Sequence, residues 1–153
     1  MSLTVVTYPA RVLSKPARRI KRGDGVDLPQ LLAEMTTAMH ENNGVGLAAP
    51  QVGLSVRFLV AQNPETKEVR GYVNPQIVAF SEECLVGPEG CLSFPGLWGD
   101  VVRSEAIRLR YQDVDFVEHE EELTGYYARI LQHEIDHING ILLSDRAEDG
   151  LHE

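Results

Sequence analysis

Two histidines and a glutamate in LQHEIDHINGI, residues 131–141, form the stretch of this sequence best suited to chemistry. On a helix, residues four apart share a face, so His133 and His137 can offer two imidazole nitrogens to one metal ion. Glu134 can then reach a metal-bound water as a general base. The alternative is a pair of buried histidines bonded to the backbone, with a surface glutamate between them. The motif alone leaves both open, because short motifs also occur by chance.

A hydrolytic metal site needs a third protein ligand and keeps one position open for water. Three candidates follow the second histidine, near the end of the sequence: Glu148, His152 and Glu153. Upstream, Cys91 lies between glycine and leucine in PEGCLSFPG, residues 88–96, where a glycine lets the backbone come close to a metal. A thiolate at Cys91 is therefore the predicted third ligand.

The other cysteine, Cys84, lies between Glu83 and Leu85 without such a setting. We interpret it as structural or incidental, because free cysteines are commonly plain core residues. The first residues, MSLTVVTYPARVLSKP, lack the basic-then-apolar layout of a secretory signal. The expected location is the cytoplasm, where a disulfide between the two cysteines is not expected.

The segment NNGVGLAAPQVG, residues 42–53, is too rich in glycine and alanine to be a good strand or helix. Small residues let a main chain approach a ligand closely. The segment lacks the lysine and the spacing of a phosphate-binding P-loop. A tight turn is the alternative, but it explains less well why the polar Gln51 stands in an apolar run.

The elements that must position these residues are two helices and several strands. An amphipathic helix is predicted over 27–44, with Asp27 as its N-cap and Asn43-Gly44 at its end. Short strands are predicted from β-rich runs, and a run of alternating residues predicts an antiparallel hairpin with the run that follows it. The three runs are 56–61, 69–73 and 76–80, and the two arms of the hairpin are 101–112 and 114–123.

A second helix is predicted from Thr124 to Gly140, with only a narrow polar stripe formed by Arg129, Gln132 and Asp136. A helix with so little polar surface is expected to be surrounded by other structure. We expect an α+β fold in which mostly antiparallel strands wrap around this metal-binding helix, with the amphipathic helix N-terminal to it. At 153 residues the chain fits one domain, 1–153.

The formal net charge of −9 has the wrong sign for a nucleic-acid groove or an anionic membrane surface. No stretch reaches the roughly 20 apolar residues of a membrane span. The acidic run EHEEEL, residues 118–123, is interpreted as a solvated edge strand or turn. We therefore expect neither a nucleic-acid nor a membrane partner.

Three segments in this order resemble the signature motifs of the peptide deformylase family: GVGLAAPQ (44–51), EGCLS (89–93) and QHEIDH (132–137). YPARVLSKPA (8–17) is similar to the family's N-terminal segment, and VNPQI (73–77) to the strand before the second motif. The resemblance implies an enzyme that removes the formyl group from formylmethionine on nascent polypeptides at the ribosome exit, releasing formate. It also implies one divalent metal ion, natively Fe²⁺, with Zn²⁺, Ni²⁺ or Co²⁺ as possible substitutes.

The resemblance assigns roles residue by residue. Glu134 matches the general base, while the Gln51 side-chain amide and the Leu92 backbone N–H match the donors that stabilise the oxyanion. The metal ligands implied are Cys91, His133 and His137. The substrate-binding residues implied are Val45, Gly46, Leu47, Gly90 and Phe94.

Phe94 stands where the family usually has a smaller aliphatic residue, and Trp98 is unusual. Both are expected to serve packing, although they could reshape the rim of the substrate cleft. A further hypothesis pairs Asp136 with Arg103, which would fix the helix against the sheet.

Three alternatives remain at this point. The first is a zinc endopeptidase of the same histidine motif, which the absence of a convincing downstream ligand disfavours. The second is an inactive relative that only binds peptide N-termini. The third is a structural metal site, although such sites usually have four protein ligands. The sequence leaves the oligomeric state open.

Overall fold

The computed structural model describes residues 3–153, which form two antiparallel sheets. The larger sheet has five strands in the order β1-β2-β3-β6-β7, and the smaller is the hairpin β4-β5. The strands are β1 (Gly46–Ala48), β2 (Phe58–Gln62), β3 (Val69–Phe80), β4 (Cys84–Cys91), β5 (Phe94–Ser104), β6 (Ala106–Gln112) and β7 (Glu118–Thr124). The helices are α1 (Leu28–Glu41), α2 (Gly125–Ile138) and α3 (Leu143–Arg146).

The helix α1 begins and ends as its sequence predicts. The Asp27 side chain caps its first turn by accepting a hydrogen bond from the Gln30 N–H at 3.1 Å. After Glu41 the chain leaves the helix through Asn43, which has a positive φ of 58°. The apolar face of α1 packs into the core, and its residues Met35 and Met39 are fully buried.

The helix α2 lies between the two sheets and contacts both of them. Its apolar face packs in one cluster with Leu59, Tyr72 and Leu109 of the larger sheet, and Leu131 and Ile138 on this face are fully buried. Fully burying one such side chain contributes about 1.5–3 kcal/mol. Gly140 has the left-handed φ of 76° expected at the end of this helix. The predicted α+β fold, with mostly antiparallel strands around a central helix, is confirmed.

The prediction of two separate strands over 69–73 and 76–80 is wrong, because both runs belong to β3. The chain continues through Asn74 and Pro75 with a shift in register. Asn74 has a φ of 50°, and its buried amide exchanges two 2.8 Å hydrogen bonds with the backbone of Ile20. These bonds satisfy the Asn74 amide at the point where the pairing between β3 and β6 is interrupted. The strand therefore continues through Pro75.

The run 101–112 is also not one strand. It is divided at Glu105, where β5 of the smaller sheet ends and β6 of the larger sheet begins. The predicted hairpin is therefore correct only for its second part, in which β6 pairs with β7 and Ile107 lies opposite Leu123. The alternating pattern looks continuous because the residues on both sides of the break alternate between core and surface.

The glycine-rich segment 42–53 contains more regular structure than its composition predicts. Its residues 46–48 form β1, and a short 3-10 turn, Ala49–Val52, follows directly. In contrast, the acidic run 118–123 is an edge strand, as expected. None of the helices within residues 3–153 is long and apolar enough to cross a membrane.

Candidate active site

Cys91, His133 and His137 come together where the hairpin meets the central helix. Cys91 ends β4, and the two histidines lie one turn apart on α2. Cys91 Sγ lies 3.2 Å from His137 Nε2, which in turn lies 3.3 Å from His133 Nε2. All three ligand atoms lie within 4.8 Å of one another. The predicted ligands are therefore brought together, while Cys84 is exposed at the other end of β4.

The geometry of these three atoms fits a metal ion. Two nitrogens bound at about 2.0–2.1 Å in tetrahedral geometry lie about 3.3 Å apart, which is the separation found between the two histidine nitrogens. One sulfur and two imidazole nitrogens suit divalent ions such as zinc, iron, cobalt and nickel. Burial lowers the pKa of His137 well below its ordinary value, which favours the neutral, metal-binding form.

Glu134 places a buried carboxylate beside this cluster. Its residue is only 5% exposed, and within residues 3–153 its Oε1 has no hydrogen-bond partner. Burial raises the pKa of Glu134 to about 7. A carboxyl group of this kind can both accept and return a proton near neutral pH.

Gln51 is held with its amide N–H groups facing the cluster. Its Oε1 accepts a hydrogen bond from the Ala48 N–H at 3.0 Å, which fixes the orientation of the amide. Its Nε2 then donates to Ser93 Oγ at 3.2 Å and lies 3.6 Å from Cys91 Sγ. Ser93 in turn donates to the Val6 carbonyl at 2.8 Å, so the N-terminal segment supports this arrangement.

Glu89 is a site residue to which the sequence analysis assigned no role. Its buried carboxylate accepts hydrogen bonds from His133 Nδ1 at 2.9 Å, from Arg103 at 2.9 and 3.0 Å and from Arg129 at 2.6 Å. Burial alone would raise the pKa of Glu89, but the hydrogen bonds from His133 and Arg103 outweigh it and lower the pKa. Burial alone would lower the pKa of His133, but hydrogen bonds with Cys91 and Glu89 outweigh it and raise that pKa well above its ordinary value.

The bond to Glu89 has a consequence for the histidine ring. Because an ionised carboxylate can only accept, Nδ1 of His133 must carry the proton, and Nε2 is left to face the other ligands. Carboxylate–histidine pairs of this kind are common around bound metals. In the sequence, Glu89 is recognisable only as a glutamate two residues before Cys91, the predicted ligand.

The predicted contact between Asp136 and Arg103 is confirmed. Arg103 Nη1 lies 2.6 Å from Asp136 Oδ2, and Arg146 of α3 binds the same carboxylate at 3.0 Å. Arg103 therefore bridges Asp136 and Glu89. The polar stripe on α2 is thus paired with the hairpin, which fixes the helix that carries both histidines.

An open cleft of about 540 Å³ gives access to these residues. Its lining includes most residues expected to bind substrate, namely Val45, Gly46, Gly90 and Phe94, together with Gln51, Leu92, Cys91, His133 and Glu134. Leu47 is different, because its side chain is fully buried in the core beside α1. Phe94 is 6% exposed, and its ring centroid lies 5.1 Å from that of Tyr8, so Phe94 serves packing as expected. Trp98 was also expected to serve packing, but it is 52% exposed.

Comparison with known proteins identifies the family of this chain. The model of the family described as polypeptide deformylase matches residues 2–152. The peptide deformylase of Chlorobium luteolum is 44% identical over 97% of this chain and 80% of its own length. The chloroplastic peptide deformylase 1B of Oryza sativa is 41% identical over 94% of this chain and 54% of its own length.

Solved structures of peptide deformylases have the same fold as this chain. The crystal structure of peptide deformylase from Thermotoga maritima has a TM-score of 0.91 and 38% identity, covering 97% of this chain and 99% of that chain. A class I type b peptide deformylase from Acinetobacter baumannii, bound to Met-Ala-Ser, has a TM-score of 0.86 and 36% identity, covering 95% of this chain and 98% of that chain. Sequence, fold and extent of the match lead to one conclusion: this chain belongs to the peptide deformylase family.

Proposed function

We propose that this chain is a metal-dependent hydrolase that removes the formyl group from the N-terminal formylmethionine of nascent polypeptides. Water is consumed, the formamide C–N bond is broken, and formate and a free amine are released. The observation that carries the proposal is the position of the buried Glu134 carboxylate beside three converging metal-ligand atoms. The family match over nearly the whole chain supports it.

Cys91, His133 and His137 would hold one divalent ion. Such an ion, when bound, polarises a carbonyl and lowers the pKa of its water to about 7. We propose Fe²⁺ as the native metal, with Zn²⁺, Ni²⁺ or Co²⁺ as substitutes. The ligand set is compatible with all four, and the preference for iron comes from the family.

Glu134 would act as the proton carrier. It takes a proton from the water that attacks the formyl carbon and delivers it to the methionine nitrogen as the C–N bond breaks. Its burial and its Oε1 suit both tasks, because no group within residues 3–153 holds that oxygen by a hydrogen bond. Glu89 would keep the His133 ring in its ligand orientation.

Negative charge develops on the formyl oxygen during this attack. We propose that it is stabilised by Gln51 Nε2 and by the backbone N–H of Leu92. Gln51 is suited to the role because its amide is already oriented by Ala48 and Ser93 before substrate arrives. Losing one preorganised donor of this kind typically costs about 10²–10³ in rate.

The peptide would bind as an extended strand beside β1, which forms an outer edge of the larger sheet. Val45, Gly46 and Leu47 would contribute through their backbone, and Gly90 and Phe94 would line the opposite wall. A contribution through the backbone is compatible with the position of Leu47, whose side chain is buried in the core.

We infer that the substrates are formylated nascent peptides met at the ribosome exit in the cytoplasm. The net charge of −9 argues against nucleic-acid binding by the chain itself. We also propose that residues 1–153 act as one catalytic domain, which is consistent with a family match over residues 2–152.

The deciding experiment measures formate released from formyl-Met-Ala-Ser by anaerobically prepared protein, with metal content determined on the same sample. We expect turnover in the wild type and its near-complete loss in Glu134→Ala, with the metal retained. Turnover by Glu134→Ala near the wild-type rate would refute the mechanism. Peptide binding without formate release would favour the binding-only alternative, and cleavage of internal peptide bonds would favour an endopeptidase.

A further inference from the structure

The single tryptophan of the chain, Trp98, lies on the wall of the cleft that contains the candidate active site. It belongs to β5, and its residue remains 52% exposed. Large aromatic side chains generally serve burial, and a half-exposed indole beside a site is typical of residues that bind a partner. Packing alone therefore does not explain this residue.

The position of the indole is fixed by a glycine. Trp98 lies opposite Gly90 in the β4-β5 hairpin, and a Cβ atom at Gly90 would lie 2.9 Å from Trp98 Cζ3. The ring therefore packs flat against the backbone that directly precedes Cys91. The indole consequently lies next to the segment that carries a metal ligand.

The backbone of Trp98 is fixed as well. Its N–H donates to the His152 carbonyl at 2.8 Å, and its carbonyl accepts from the His152 N–H at 2.9 Å. A ring held in this way loses little entropy when a ligand stacks on it, because it is already ordered. The site is thus preorganised for a flat or large apolar group.

If the formyl group of a peptide lies beside Cys91 and Glu134, the residues that follow formylmethionine would lie along the cleft wall that carries Trp98. An extended chain advances only about 3.3 Å per residue. The side chains that follow formylmethionine are therefore the groups within reach of the indole. Tyr126, which is 58% exposed, lines the same cleft and adds a second aromatic surface.

We propose that Trp98 is a specificity-determining residue that favours peptides with an aromatic or large apolar side chain within the two residues after formylmethionine. This inference rests on the proposed deformylase function and names its preferred substrates. The attraction combines apolar burial with aromatic stacking on the indole.

The kinetic test compares kcat/KM for formyl-Met-Ala-Phe and formyl-Met-Phe-Ser with that for formyl-Met-Ala-Ser. In the metal-loaded wild type we expect at least one phenylalanine peptide to be preferred by about tenfold. Trp98→Ala should reduce this ratio to about one, and Trp98→Phe should retain most of it. Phe80→Ala is the matched control, because Phe80 is an exposed aromatic residue that does not line this cleft, and the ratio should not change.

The single tryptophan provides a second measurement that does not depend on turnover. Binding of the product Met-Ala-Phe, or of Met-Phe-Ser, should shift the emission of Trp98 to shorter wavelength, because the ring leaves water. Met-Ala-Ser should shift it much less. Equal shifts for all three peptides, or an unchanged kinetic ratio in Trp98→Ala, would overturn the inference.

The two proposals fail in different ways. Formate release from all peptides with a ratio near one in the wild type would refute the role of Trp98 alone. Absence of formate release from every peptide would refute the proposed function, and the emission shift would then decide whether Trp98 binds an apolar peptide side chain.

Discussion

The carboxylate of Glu134 lies directly against the backbone of Gly46, so that a Cβ atom at residue 46 would come within 2.6 Å of Glu134 Oε2. Residue 46 belongs to β1 of the larger sheet, and residue 134 belongs to α2. The absence of a side chain at residue 46 thus sets how closely the candidate base approaches the strand proposed to bind substrate.

Gly46→Ala should therefore impair catalysis without emptying the metal site. The added methyl group forces the Glu134 carboxylate to move, and a misplacement of about 1 Å can cost about 10²-fold in rate. We expect a loss of about that size in kcat, with metal content and thermal stability close to those of the wild type. A kcat within a factor of two of the wild type would show that the close contact is not needed.

The two cysteines allow a matched comparison. Cys91→Ser replaces a converging thiolate with a poorer ligand and should weaken metal binding, with activity lost in parallel. Cys84→Ser changes an exposed residue outside the ligand cluster and should leave both unchanged. Metal titration monitored by absorption after Co²⁺ substitution measures this directly, because thiolate coordination gives a charge-transfer band. The same band in Cys91→Ser would exclude Cys91 as the ligand.

Glu89→Gln should weaken both the fold and the metal site. It removes a buried charge that accepts hydrogen bonds from His133 and two arginines, and breaking such a network typically costs about 3–5 kcal/mol. Loss of the partner of a metal-binding histidine typically lowers metal affinity about 10–100-fold. Denaturant unfolding and competitive metal titration measure the two effects, with the exposed Glu122→Gln as the control.

If Glu89→Gln unfolds with the free energy of the wild type, the network contributes no net stability. If its metal affinity is also unchanged, the bond to Nδ1 does not position the ring. The two results are independent, so each part of the interpretation can fail alone.

Tyr72 should make the free energy of unfolding fall as the pH rises in the alkaline range. Its side chain is fully buried, its hydroxyl lies 2.6 Å from that of Tyr127, and burial together with this neighbour raises its pKa. A raised pKa means that the unfolded chain loses the proton first, so stability is complete below about pH 9 and falls as the pH rises past about 10. Tyr72→Phe should show a shallower decline in the free energy of unfolding between about pH 9 and 11.

The control for this pH dependence is Tyr126→Phe, since Tyr126 is 58% exposed and its hydroxyl is not part of the buried core. It should retain the decline of the wild type. At neutral pH, Tyr72→Phe leaves the Tyr127 hydroxyl without its partner, which costs about 1 kcal/mol. A wild-type slope in Tyr72→Phe would assign the alkaline decline to other groups.

The parts of the structure governed by local patterns were predictable. The ends of α1 and α2 follow from Asp27 and Gly140, whose side-chain chemistry and backbone freedom act within one turn. The face shared by His133 and His137 follows from helical periodicity alone. The prediction that Cys91 is a ligand, which the convergence of its sulfur with the two histidines supports, needed only its glycine neighbour and the lack of a better candidate downstream.

The parts governed by long-range contacts were not predictable in the same way. The run 101–112 is divided at Glu105 because its two halves join different sheets. The alternating pattern of a β-strand does not indicate which sheet the strand joins. The continuity of β3 depends on Asn74 binding Ile20, which lies 54 residues earlier. Glu89 was missed because its four hydrogen bonds come from β5 and α2, and only the fold brings those residues together.

The strand β1 is only three residues long, Gly46–Ala48, and it forms an outer edge of its sheet. Under the proposed function, this edge is the main-chain template for the incoming peptide, and a template of this length can engage only the first few residues. Whatever follows along the polypeptide makes no contact there and has no influence on recognition. The brevity of one strand would thus confine any selectivity, including that proposed for Trp98, to the first residues of a new chain, whatever the rest of the protein being synthesised.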